Sequence, residues 1–160
     1  MERMRVSKIT VRRGVWTLCW QDYQETTNNW DEHTLTSKDE PRPELYKTMQ
    51  KLAVHVEDIC DMREGAHEKI IVSGITESWK DDNRWLTITA KMRLSKSICP
   101  LNINTPARPE YADDYDDTFC MGEKLLKDLR DLEEEGLRYI NGDRAQQTLD
   151  FQPDKPTAPE

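Results

Sequence analysis

The sequence predicts an α+β fold, a ββαββα two-layer sandwich in which a four-stranded antiparallel sheet carries two helices on one face. Three observations lead there. Two stretches of alternating apolar residues fold back on themselves around tight turns. Each is followed by an apolar stripe at helical spacing. The residues between the apolar strand positions are mostly polar, so only one sheet face is covered.

The first hairpin runs through Val6–Val11 and Val15–Gln21 and turns near Arg13-Gly14, with Trp16, Leu18 and Trp20 on one face at period two. The polar stretch Thr26–Glu40, containing Asn28-Asn29, shows no periodicity and reads as a loop. Leu45, Met49, Leu52, Val56 and Ile59 then recur at spacings of four and three, with Tyr46, Ala53 and Cys60 beside them. They predict one helix of about five turns, Pro43 at its first position and Gly65 at its exit. In the second hairpin, Ile70 through Trp79 forms a strand and Lys80-Asp81-Asp82-Asn83 the turn. Leu86, Ile88, Ala90, Met92 and Leu94 alternate with Trp85, Thr87, Thr89, Lys91 and Arg93. Ile98–Ile103, interrupted by Pro100, reads as an edge segment, and Pro106, Pro109 and Asp113–Asp117 as an acidic loop. The last helix starts near Thr118 and carries Leu125, Leu129, Leu132 and Tyr139, with Gly136 weakening its end by about 1 kcal/mol relative to Ala.

With 160 residues, 36% hydrophobic and 34% charged, the chain fits one polar but folded domain, residues 1–140, followed by a flexible tail, 141–160. The four cysteines, Cys19, Cys60, Cys99 and Cys120, form no CxxC pair, and nothing resembles a signal peptide or a membrane span. Free thiols in a soluble cytoplasmic protein are the expectation, without membrane contact. The net charge of −8 is unevenly spread. Between Pro106 and Glu135 eleven acidic residues face four basic ones, whereas residues 1–20 hold Arg3, Arg5, Lys8, Arg12 and Arg13 against Glu2. A basic hairpin suits phosphate, and an acidic segment repels nucleic acid or mimics it.

No catalytic constellation stands out. The carboxylates of 110–117 lie in a loop without the supporting Lys or His of a two-metal site, and His55 reads as a boundary histidine beside Glu57 and Asp58. A zinc site from scattered Cys with His33, His55 or His67 has little to motivate it. The expectation is a protein without enzymatic activity or cofactor. On the uncovered sheet face, Trp85, Lys91 and Arg93, with Arg12 or Arg13 nearby, form a candidate platform for single-stranded nucleic acid, with solvated charges as the alternative. Pairing through a sheet edge into a homodimer is a further candidate.

The tail carries the sharpest motif, Gln146-Gln147-Thr148-Leu149-Asp150-Phe151. It resembles the six-residue form of the linear motif that docks proteins on bacterial DNA sliding clamps, with Gln146 first, Leu149 fourth and Phe151 sixth. In such a peptide-in-pocket mode two apolar side chains fill neighbouring holes while an amide fixes the register. The alternative is that Leu149 and Phe151 fold back onto the domain. Pro41-Arg-Pro-Glu-Leu45, Pro100-Leu-Asn-Ile-Asn-Thr-Pro106 and Tyr139-Ile-Asn-Gly-Asp-Arg-Ala-Gln-Gln-Thr-Leu149 resemble a family of uncharacterised proteins from the early regions of bacteriophages and prophages. That resemblance implies a host bacterial cytoplasm and a clamp partner used in viral DNA replication or recombination. The competing class is a host-takeover or anti-defence inhibitor, acting through a DNA-mimicking acidic surface or by sequestering a small ligand.

Overall fold

Leu35, Leu18, Ile9, Ile75 and Ile88 form a row of aliphatic side chains that crosses five neighbouring strands on one face of a single sheet. All but Leu35 are fully buried, and the row is the floor of the core. The computed structural model describes residues 3–111 and 117–145. Among these the strands are β1 (Met4–Arg12), β2 (Val15–Gln24), β3 (Asn29–Ser37), β4 (Ile70–Lys80), β5 (Asn83–Met92), β6 (Leu101–Asn104) and β7 (Arg108–Pro109). The sheet order is β3-β2-β1-β4-β5-β6, antiparallel throughout, and β7 also pairs with β5. The helices are α1 (Pro43–Gln50), α2 (Ala53–Ile59) and α3 (Glu123–Ile140), with short 3₁₀ turns at Ala66–Lys69 and Asp117–Phe119. Their buried side chains join the same core cluster, so the fold is α+β in two layers with the helices on one face. Among the described residues no helix is long and apolar enough to cross a membrane.

Both hairpins turn where the sequence places them. Arg13 and Gly14 have φ of 53° and 78°, and Asp81 and Asp82 have φ of 54° and 64°. Two successive left-handed residues match the right-handed twist of the flanking strands, and Gly, Asp and other short polar residues tolerate that region best.

The sheet is not four-stranded, and the order is not ββαββα. The stretch expected to be a loop contains β3, nine residues long and paired with β2 from Trp16↔Ser37 to Gln24↔Asn29. As an edge strand it leaves most side chains exposed on both faces, so no apolar alternation marks it; Trp30, Leu35 and Ser37 are its half-buried residues. The expected edge segment begins at Leu101, after Pro100, while Ile98 is fully exposed. The five-turn helix is broken at Lys51–Leu52 into α1 and α2, although Leu45, Met49, Leu52 and Val56 remain one buried stripe. The chain leaves α2 through Cys60 and Asp61, the latter at φ 53°, so the exit comes before Gly65. The last helix begins at Glu123, after the short turn that holds Thr118.

Gly136 also has a different role from the one its propensity suggests. A Cβ there would lie 2.7 Å from Ile9 Cδ1, so the missing side chain lets α3 settle onto β1. Gly74 does the same within the sheet, beside a bulge in β4, where a Cβ would meet the Ile9 carbonyl oxygen at 2.6 Å.

Candidate functional site

Alternation along the same strands decides what the open face presents. Next to the buried row lie Thr36, Thr17, Thr10, Gly74, Thr89 and Asn104, and then Thr34, Cys19, Lys8, Thr76 and Thr87. This face is rich in hydroxyls and holds no core. The central strand β1 contains no acidic residue and places Arg5, Lys8, Thr10 and Arg12 on this side, with Arg3 just before it. A bulge between Val6 and Lys8 keeps Val6 and Ile9 on the core side while turning the cations outward.

Strands β1 and β4 pair only from Lys8↔Thr76 to Thr10↔Gly74. Beyond Lys8 and Thr76 a cleft of about 420 Å³ opens, lined by Arg5, Lys8, Gln21, Glu32, Ser78 and Trp79 among others. At its end the Arg5 guanidinium lies 3.7 Å from the centre of the Trp30 ring and 4.0 Å from that of Trp79. Arg3 lies 4.3 Å over Tyr23, and Tyr23 packs edge-on against Trp30. Arg5 Nε donates to Gln21 Oε1 at 2.8 Å, and Gln21 Nε2 donates to Glu32 Oε2 at 3.1 Å. Burial against the rings pulls the Arg5 pKa below its ordinary value, with Asp82 acting in the opposite direction.

The nucleic-acid residues expected from sequence are spread along the sheet, and of them only Arg12 lines up with the β1 cations. Arg12 and Arg13 sit at the β1–β2 turn, with Arg12 on the open face and Arg13 within the turn itself. Trp85 pairs with Ser78 and Pro109, whereas Lys91 pairs with Ile71 and Asn102. Six residues of strand, about 20 Å, separate Trp85 from Lys91. Arg93 lies past the end of β5, at a separate cavity of about 570 Å³ that Met62, Gly65, Lys69 and Met92 also line. Sequence reasoning missed Tyr23, Trp30 and Trp79 as partners of the N-terminal arginines. Trp30 lies in the stretch without periodicity, and only the β2–β3 pairing brings it beside Tyr23.

Two polar clusters lie under the helices. His55 Nε2 is 2.8 Å from Asp128 Oδ2, and Lys124 Nζ donates to the same oxygen at 3.3 Å. Burial raises the Asp128 pKa, but the hydrogen bonds from His55 and Lys124 outweigh it and hold the carboxyl below its usual range. His55 therefore reaches across to α3 instead of sitting idle beside Glu57 and Asp58. A cavity of about 180 Å³ adjoins the pair, bordered by Arg108, Ile59, Gly122 and Leu125. In the second cluster Arg84 contacts Glu77 at 3.3 Å, Glu133 at 3.0 Å and Glu110 at 3.2 Å. Burial, and next the neighbouring Glu133, push the Glu77 carboxyl well above its usual range against the pull of Arg84.

Internal pairing extends along the acidic stretch. Glu110, Asp128, Asp131, Glu133 and Glu135 all form ion pairs with residues of the same chain. Residues 112–116 lie outside the described residues. Among the described residues no group of three or more His, Cys, Asp or Glu is placed to hold a metal ion.

The chain beyond α3 is tied back to the domain. Tyr139 Oη donates to the Asp39 carbonyl at 2.6 Å, and Arg144 stacks on the Tyr139 ring with 3.7 Å to its centre. Arg144 Nε also donates to Asp39 Oδ2 at 3.2 Å, and the Ala145 amide donates to the Glu40 carbonyl at 2.9 Å. Gln146, Leu149 and Phe151 lie outside the described residues.

No family model, no curated protein and no solved structure matches this chain.

Proposed function

We propose that this protein is a non-enzymatic accessory factor of phage DNA replication or recombination, and that it docks on the host DNA sliding clamp through Gln146, Leu149 and Phe151. The observation that carries the reading is the hexapeptide itself, joined to a domain whose last described contact is one residue upstream, at Ala145. Arg144 and Ala145, which immediately precede the motif in sequence, are tied to Asp39 and Glu40 of the domain. Two apolar anchors and one amide supply register and modest affinity. Tethering then raises the effective concentration of the domain at replicating DNA without tight intrinsic binding.

The acidic-mimic alternative loses support from the internal pairing of Glu110, Asp128, Asp131, Glu133 and Glu135, which reduces the continuous negative surface their number suggests. Calorimetric titration into the clamp of the host bacterium tests the proposal. Micromolar binding that disappears in Gln146→Ala/Leu149→Ala/Phe151→Ala supports docking. No binding by the intact chain would sink it.

A further inference from the structure

The open face of the sheet has a chemistry that the clamp motif does not use. We infer that it binds single-stranded nucleic acid, with phosphates along β1 over Arg3, Lys8 and Arg12 and bases stacked at the Tyr23–Trp30 end, where Trp79 meets Arg5 at the cleft between β1 and β4. This stands independently of clamp docking.

Charge complementarity comes first. Despite the net charge of −8, β1 is free of acidic residues and aligns its cations on the uncovered side at the centre of the sheet. A polyanion lying along the strand meets Arg3, Arg5, Lys8 and Arg12 in succession. Electrostatic attraction to a backbone of this kind is sequence-independent and falls steeply with salt.

The aromatic end decides which polyanion fits. Tyr23, Trp30 and Trp79 are half-buried, and they are interleaved with Arg3 and Arg5 across four adjacent strands. Arg5, held by two rings and by Gln21, fixes the spacing of those rings, which is the preorganisation a stacking platform needs. Rings of this type stack on unpaired bases of any identity. Bases in a duplex already stack on one another, and a broad sheet face does not enter a groove as a helix or two-stranded ribbon does. The 420 Å³ cleft beside the rings adds Gln21, Glu32, Thr76 and Ser78, which supply donors and acceptors to a base edge.

The test uses the full chain and fluorescein-labelled oligothymidylate, followed by anisotropy at several salt concentrations. Wild type is expected to bind at low salt with a clear preference over a duplex of equal length. Arg3→Gln/Lys8→Gln/Arg12→Gln should weaken binding at least about tenfold and flatten the salt dependence by roughly 2 in log–log slope, at about 0.7 per lost phosphate contact. Lys127→Gln, on α3 across the molecule, serves as the control and should bind as wild type does. Intrinsic tryptophan fluorescence of the unmodified protein gives a second readout that needs no variant, a saturable quench as oligothymidylate is added. Absence of binding at low salt, equal binding of duplex, or an unchanged affinity in the triple variant would each overturn the inference.

Discussion

The two faces of the sheet are built from alternate residues of the same strands, yet they obey different constraints. On the covered face Ile9, Leu18, Ile75, Leu86 and Ile88 are at 0% exposure and meet Leu45, Leu52, Leu129 and Leu132 from the helices. Shape and volume govern that side, where α3 packs so close to β1 that a Cβ at Gly136 would press on the Ile9 side chain. On the open face Thr10, Thr17, Thr34, Thr76 and Thr87 share a side with the β1 cations, and none of them belongs to the core. The inferred binding would separate stability from recognition, with changes on one side altering folding and changes on the other altering what the surface meets.

The largest effect that would break this comparison is a stability difference. Leu129→Ala should cost about 3 kcal/mol through lost burial and the cavity left behind, whereas Thr87→Ala should stay within about 0.5 kcal/mol. Urea denaturation of the two variants checks both, and comparable losses would show that the open face is part of a larger packed interface.

A smaller effect concerns a carboxylic acid on the covered side. Burial, and next Glu133, raise the Glu77 pKa well above the usual carboxylate range. A group whose pKa is raised by folding stabilises fully below its unfolded value and loses that contribution as pH rises through the folded value. The melting temperature should therefore fall as pH rises through that raised value, more in wild type than in Glu77→Gln. Asp128 works in the opposite sense, because its lowered pKa gives stability above the usual carboxylate range that is lost on acidification. Thermal melts across a pH series separate the two, and parallel curves for wild type and Glu77→Gln would contradict the assignment. The smallest effect is the most informative about the tail. Deleting residues 146–160 should leave the melting temperature unchanged if they serve a partner, while a clear drop would indicate that Leu149 and Phe151 cover the domain.

Much of the covered face was legible because burial leaves a periodic trace. The stripe from Leu45 to Val56 and the alternation from Leu86 to Ala90 lie in the core where the spacing puts them, and Met92 packs against its edge. Strand β3 was not legible, since an edge strand exposed on both sides has no reason to alternate. The basic bias of residues 1–20 was visible as composition, but its placement on a central strand depends on the β1–β4 pairing, which joins residues more than sixty positions apart. The same holds for His55 and Asp128, and for Arg84 with Glu133. Long-range polar partners leave no local pattern, because each residue alone reads as surface charge.

The five tryptophans are distributed so as to report on this division directly, with Trp16 in the core and Trp30 and Trp79 beside Arg5 at the cleft between β1 and β4. The decisive measurement is a proton–nitrogen NMR titration of the indole signals with oligothymidylate. The account predicts that the Trp30 and Trp79 indoles shift progressively while Trp16 stays in place. Shifts confined to Trp16 and the helix amides, or no shifts at all, would contradict it.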